Sequence, residues 1–422
     1  MVNALTPDES AFQGVKLVAP AKRGVSRGWA VAYKTAADLV SKGSMAAITV
    51  VAARQLSQQS FGVFSLASTI GWLLAVVTDF GIQMHLARAV ARDPGERAGL
   101  LMRWLRVRLW TAAIGVTIVA IAVSAWPAAR SIAAPIVIFA IVYACSGLIE
   151  FLHYFYRGLS RSEMESALTV WQRGATLVCA VGALLWRPNL VLLGVAMLIP
   201  VAITLAVSLT LARGIAGDVG DRSQARPGEF RSDVLPIGAG IVLSALYFRI
   251  DVLLVQYWSG TTSVALYNAV FRIVEALRLF PAAVLAVTLP LLVRAADEWP
   301  LLKVAAAVTL PSIAAAIALA AAAGWIVPLL FGGAYAPAVP AFRILLLSFP
   351  LMSLNYALTH QLIGWNGQRT FAALCAAALV LNVALNARLI PALSIDGAAW
   401  STVATELLLT AGCLGALRFR TQ

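Results

Sequence analysis

The residues of this chain that could do chemistry are charged side chains set inside apolar segments. A charge in hydrocarbon costs roughly 2.5–3.5 kcal/mol on insertion scales, so it marks a pathway or a pair. Lys34, Asp38 and Lys42 recur every four residues, which puts them on one helix face. Lys34 is close enough to the segment end to snorkel; Asp38 and Lys42 are deeper. Arg249 and Asp251 are two apart, so they point to different faces and are not expected to pair with each other. Arg272, Glu275 and Arg278, at spacings of three, form a ridge of alternating charge near mid-segment. Two readings of that ridge stand side by side. It is either a salt-bridge lattice holding its bundle together or the lining of a wet central cavity.

The first half of the chain carries Asp79, Glu150, His153 and Arg173 in similar settings. Asp79 and His153 fall near segment ends, where capping is the plainer reading. Glu150, about one turn deeper, is a candidate for a proton or a cation. Gln172 lies mid-segment beside Arg173, and Arg343 and Glu406 are weaker candidates. No covalent chemistry is indicated. The chain has no Gly-x-Ser-x-Gly, no Walker loop with a lysine, no His-Glu-x-x-His and no Cys-x-x-Cys. His85, His153 and His360 lack ligand spacing. We therefore expect no catalytic residues, no metal and no cofactor. Without a phosphate-binding loop, an ion gradient (H+ or Na+) or the substrate gradient would supply the energy.

The elements that position these residues must lie in lipid. Of 422 residues, 61% are hydrophobic and 12% charged, and mean hydropathy is +0.85. A soluble domain cannot hide that much apolar surface. A spanning helix needs about 20 apolar residues. Twelve segments qualify, near 30–52, 59–83, 107–126, 131–154, 165–186, 189–212, 234–258, 263–292, 304–327, 337–363, 370–391 and 395–417. The fold class expected is an all-α polytopic membrane protein, with about twelve transmembrane helices in two six-helix bundles.

The net charge of +13 fits that picture without nucleic acid. With the N-terminus inside, Lys and Arg crowd the cytoplasmic segments, among them Arg88, Arg97, Arg103, Arg106, Arg108, Arg157 and Arg213. The other side keeps only Arg54, Arg130, Arg187 and Arg388. This positive-inside bias predicts an even number of spans and two cytoplasmic termini, with the surplus charge attracting anionic lipid. No cleavable signal peptide is evident. Cys145, Cys179, Cys375 and Cys413 all fall within spans and read as small buried hydrophobes. Trp126, Trp186, Trp258, Trp299, Trp325 and Trp365 sit near span ends, as interfacial aromatics do.

The second half repeats the first. Phe61-Gly62-Val63-Phe64 returns as Val264-Ala265-Leu266-Tyr267, Arg157-Gly158 as Ile363-Gly364, and Leu193-Gly194-Val195-Ala196 as Asp396-Gly397-Ala398-Ala399, at a shift of about 203 to 206. The polar stretch Arg213–Asp233 separates six spans from six. An even number of spans precedes the second copy, so the duplication is parallel. The expected organisation is a cytoplasmic segment 1–28, a bundle 29–212, a cytoplasmic linker 213–233 and a bundle 234–418.

Arg54-Gln55-Leu56, Phe61 to Ala67 and Asp79-Phe80-Gly81-Ile82 together resemble the first two helices of polysaccharide-export flippases of the MOP superfamily. Arg249-Ile250-Asp251, Ala265 to Ala269 and Arg272-Ile273-Val274-Glu275 resemble their seventh and eighth. Leu330 to Tyr335, Leu381-Asn382, Leu385-Asn386 and Leu389-Ile390-Pro391 resemble their C-terminal half. The resemblance implies a transporter of lipid-linked oligosaccharide between leaflets of the cell membrane, with a cationic cavity between two bundles that suits a pyrophosphate. Carried onto this chain, it makes Lys42, Arg249, Arg272 and Arg278 the substrate-binding residues. Asp38, Glu150, Asp251 and Glu275 become ion-coupling residues or charge partners. Membrane lipids and polysaccharide polymerase or assembly proteins are the implied partners. Alternatives are export of small cationic drugs, lipid II transfer, and membrane glycosyltransfer or polymerisation. A drug site should favour carboxylates, and an enzyme of that class needs a large outer loop that this chain lacks.

Overall fold

The structure is a computed structural model that describes residues 41, 43–125, 127–217, 228–294, 299–365 and 367–421. Lys34, Asp38 and Lys42, the N-terminal segment 1–28, most of the first span and the middle of the linker lie outside these residues. The described residues are helical almost throughout and contain no strand. In chain order they form α1 (residues 43–55), α2 (Gln58–Asp79), α3 (Ile82–Arg92), α4 (Arg97–Ala125), α5 (Ala133–Gly158), α6 (Ser162–Trp186) and α7 (Leu190–Ala216). The second half continues with α8 (Gly228–Leu277), α9 (Leu279–Arg294), α10 (Trp299–Phe331), α11 (Val339–Gly364) and α12 (Gln368–Thr421).

Among the described residues nine stretches are long and apolar enough to cross a membrane. Two of them are too long for one crossing. Gly238–Leu285 has 48 residues and Gln368–Arg418 has 51, about 72 and 76 Å of helix against a hydrocarbon core of about 30 Å. Each is broken in the middle, α8 at Gly260 (φ 80°) and α12 at Ser394 (φ 50°), both in the left-handed region. Each is thus a hairpin of two crossings. The described residues contain eleven crossings, and α1 is the end of a further one, consistent with twelve.

The duplication is visible in the element boundaries. The 3-10 turn Pro127–Ile132 recurs as Gly333–Ala338, and α5 (133–158) recurs as α11 (339–364), both shifted by 206. The starts of α6 and α12, 162 and 368, differ by the same number. The start of α2 at 58 and the resumption of α8 at 261 differ by 203. Even a defect is repeated. The second crossing ends at Phe80–Gly81 and continues as α3, and the eighth stops near Arg278 and continues as α9.

Local chemistry sets these ends. Ser57 caps α2, its hydroxyl accepting from Ser60 N at 3.2 Å, and Asn189 caps α7, accepting from Val191 N at 2.8 Å. Asp79 accepts from the amides of Gly81 (3.0 Å) and Gln83 (3.3 Å), so it caps the turn into α3, as its position near a span end predicts. Helix C-termini borrow arginines. Arg97 donates to Ile215 O at 3.0 Å at the end of α7, satisfying a carbonyl the helix leaves open.

Several boundaries differ from the sequence reading. The third crossing begins at Arg97, ten residues early, because the basic run Arg103–Arg108 continues the helix. The linker shrinks at both ends, since α7 runs to Ala216 and α8 starts at Gly228. Cys375 and Cys413 are buried as expected, but Cys145 is half-buried and Cys179 is exposed on α6. Trp186, Trp258 and Trp325 are exposed near helix ends, as interfacial aromatics should be.

The core runs between the halves. The cluster containing Ile48, Phe61, Phe64, Val264, Phe271, Tyr335 and Phe342 draws on both. The axis of contact is α2 against α8. At Gly62 a Cβ would stand 2.1 Å from Thr261 O, so only glycine lets the two backbones meet there.

Candidate functional site

The α8 hairpin assembles the site. Gly260 turns the chain, so Arg249, eleven residues before it, comes level with Arg272, twelve after it. These offsets place both about 17–18 Å from the turn, near the middle of a bilayer. Asn268, Arg272 and Glu275 share one face of the returning limb, at i, i+4 and i+7.

One carboxylate oxygen joins two arginines. Glu275 Oε2 accepts from Arg249 Nη2 at 2.7 Å and from Arg272 Nη1 at 2.8 Å. Arg249 Nη1 donates to Asn268 Oδ1 at 3.2 Å. The Arg249 guanidinium also lies 4.8 Å from the Phe271 ring centroid. Arg278 stacks on Phe248 at 4.3 Å, beside the same cluster. Three arginines therefore surround one bonded glutamate. The Arg249 side chain is 4% exposed, Arg272 19% and Glu275 34%. Phe271, whose ring lies under the Arg249 guanidinium, belongs to the core that both halves share, so the cluster borders the seam between bundles.

Asp251, two residues from Arg249, faces elsewhere, as the spacing predicts. It is buried, accepts from the Tyr267 hydroxyl and from Val252 N (2.8 Å), and Tyr267 lies 3.3 Å from Thr402 of α12. Glu150 belongs to a separate network in the first half. Arg157 Nη2 contacts Glu150 at 3.4 Å and Arg157 Nε bonds Glu165 at 2.7 Å, with His153 3.8 Å from Glu150. Of the sequence-predicted residues, the fold brings together Arg249, Arg272, Arg278 and Glu275. Asp251 and Glu150 sit in other hydrogen-bond networks, and Lys42 and Asp38 lie outside the described residues. Along the ridge Arg272 and Glu275 are paired, Arg278 stacks on a ring instead, and the Glu275 side chain is one-third exposed.

Three polar pairings were not legible in the sequence, although Asp79 and Glu406 stood among its candidates. Arg108, grouped there with cytoplasmic arginines, is 1% exposed and pairs with Asp79 at 3.4 Å. The signal was present, because 101, 104, 105, 108 and 112 fall on one buried face while Arg103 and Arg106 face out. In the second half Asn355 Nδ2 donates to Glu406 Oε2 at 2.7 Å, and Asn386 donates to Asn382 at 2.7 Å. Amides inside apolar windows were the available clue. Among the described residues no group of His, Cys, Asp and Glu could hold a metal.

Residues 29–296, close to two thirds of the chain, match the family model described as polysaccharide biosynthesis protein. A sequence search of curated proteins finds no match. Among solved structures, the lipid II flippase MurJ in an inward closed conformation aligns with TM-score 0.75 at 12% identity, covering 91% of this chain and 87% of that one. An inward-facing multidrug resistance MATE family transporter of the MOP superfamily aligns with TM-score 0.74 at 15% identity, covering 93% and 98%. A MOP superfamily transporter from Pyrococcus furiosus, described as having a binding pocket of reverse polarity, aligns with TM-score 0.68 at 16% identity, covering 93% and 95%. At these identities the likeness establishes the fold.

Proposed function

The chain belongs to the polysaccharide biosynthesis protein family and has the fold of MOP superfamily transporters, and from that premise we propose that it flips a lipid-linked oligosaccharide across the cell membrane. The carrying observation is that Arg249 and Arg272, near mid-membrane depth, share the single carboxylate of Glu275, with Arg278 stacked on Phe248 beside them. Two cations on one carboxylate in a low-dielectric setting favour the binding of a further anion. A pyrophosphate linking sugar to polyprenol meets that demand, since guanidinium groups bind phosphate oxygens through forked, charge-assisted hydrogen bonds.

The headgroup cannot cross hydrocarbon unaided. The bundles 29–212 and 234–418 would shield it at their seam while the lipid tail stays in the bilayer, and rocking of one bundle against the other would change which side is open. Arg249, Arg272 and Arg278 bind the anion, joined by Lys42 of the first apolar segment. Ion coupling through Asp38, Glu150 or Asp251 belongs to the same reading, as do cytoplasmic termini and a role in surface polysaccharide synthesis. Lipid II shares the pyrophosphate and is the nearest competing cargo.

The test is transfer in reconstituted vesicles, read as loss of labelled lipid-linked sugar from the outer face. Arg272→Ala should abolish transfer with insertion intact. Arg272→Lys should keep part of it, because a point charge retains attraction but loses the fork. Undiminished transfer by Arg272→Ala would overturn the assignment, and transport of cationic dyes alone would point to drug export.

A further inference from the structure

We propose that Glu275 is an exchangeable counter-ion, a built-in carboxylate that holds Arg249 and Arg272 while the site is empty and is displaced from them by the substrate's phosphate. This deepens the lipid-linked pyrophosphate reading and rests on it.

Four features of the cluster point this way. Both arginines bond the same oxygen, Oε2, at 2.7 and 2.8 Å, while Oε1 takes no hydrogen bond from any described residue. That is the geometry of one anion spread over two cations, not of two dedicated pairs. Glu275 is also the most open member of the trio, 34% exposed against 19% for Arg272 and 4% for Arg249. An anion coming from the open side reaches the arginines where the carboxylate now stands.

The arginines themselves are held by other means. Arg249 keeps Asn268 at 3.2 Å and the Phe271 face at 4.8 Å when Glu275 leaves. Its guanidinium therefore stays preorganised for the incoming ligand. Arg272 has spare capacity. Its Nε is buried without an acceptor among the described residues, and a buried donor left unpaired is costly until something supplies one. A phosphate, with more acceptor oxygens than a carboxylate, satisfies both Nη and Nε.

The energetic purpose follows from the transport cycle. Arginines with no internal partner would bind pyrophosphate tightly and release it slowly, because release would strand buried charges. A carboxylate that returns as the phosphate departs lowers that cost and speeds release. Glu275 thus trades affinity for turnover.

The experiment compares full-length wild type, Glu275→Gln and Arg272→Ala in nanodiscs. Binding of polyprenyl pyrophosphate is measured against neutral polyprenol, together with the vesicle transfer rate. Glu275→Gln should bind the pyrophosphate about tenfold more tightly, the equivalent of about 1.4 kcal/mol, and transfer it more slowly. Arg272→Ala should bind weakly. If Glu275→Gln binds no more tightly than wild type while Arg272→Ala loses binding, the counter-ion role is wrong and the substrate reading stands. If wild type prefers neither lipid, the substrate reading fails and the counter-ion role with it. Should Glu275→Gln fail to fold, Glu275→Asp replaces it. Its shorter side chain cannot reach both guanidinium groups, so it too should bind more tightly, and equal or weaker binding overturns the proposal.

Discussion

Arg54 of the first half donates from Nε to the backbone oxygen of Leu330 in the second, at 2.9 Å, across 276 residues of sequence. A second bond from the same guanidinium reaches Leu329 O. Leu329 and Leu330 end α10, where helix carbonyls have no intrahelical partner, and an arginine answers both the open acceptors and the helix dipole. Gln58 Nε2 adds a bond to Ala334 O at 2.6 Å, and the Phe61 and Tyr335 rings meet edge-on at 5.8 Å. The halves are latched at the end of the bundles opposite the linker.

Opening that end must break the latch. Arg54→Ala should raise the labelling of cysteines at 58 and 334 by a water-soluble thiol reagent, in a background lacking the four native cysteines. A short bifunctional crosslinker between the same two positions should stop transfer. Unchanged labelling in Arg54→Ala would show that the apolar contacts alone hold the end shut.

The close approach at Gly62 should be intolerant of a side chain. A Cβ there would meet Thr261 O at 2.1 Å, a backbone atom that cannot swing aside. Gly62→Val should cost about 1–3 kcal/mol, the usual range for overpacking, seen as a lower thermal midpoint in detergent. Gly174, with nothing within 4 Å of its would-be Cβ, serves as the control and should accept alanine without loss.

Asp79 and Arg108 form a buried pair, 8% and 1% exposed. Removing one partner strands the other charge in the interior, at about 3–5 kcal/mol. Asp79→Ala should therefore be severely destabilised. Asp79→Ala with Arg108→Leu should recover much of the loss, because the double variant leaves no charge behind. Thermal unfolding of wild type, Asp79→Ala, Arg108→Leu and the double variant gives the coupling directly.

The arginine asymmetry predicts the orientation. Alkaline phosphatase fused after Gly217 should be inactive, and fused after Arg187 active, if the linker is cytoplasmic. The reverse pattern would invert the proposed direction of transfer.

The sequence by itself determined the solvent, the class of fold and the duplication. Apolar length is a local property, so eleven crossings appear close to where hydropathy puts them, and the 203–206 shift of short motifs recurs in the element boundaries. It also separated Arg249 from Asp251, because a helix forces residues two apart onto different faces. The partners of those charges were decided by tertiary structure. Arg249 meets Glu275 only because Gly260 folds α8 back on itself, which hydropathy cannot register, since both limbs are equally apolar. Arg108 reads in sequence as one of a basic run with Arg103 and Arg106; the packing of α4 against α2 and α5 turns it alone inward to Asp79. A charge in lipid must find a partner, and the sequence says so. Which partner it finds depends on helix packing between segments far apart in the chain.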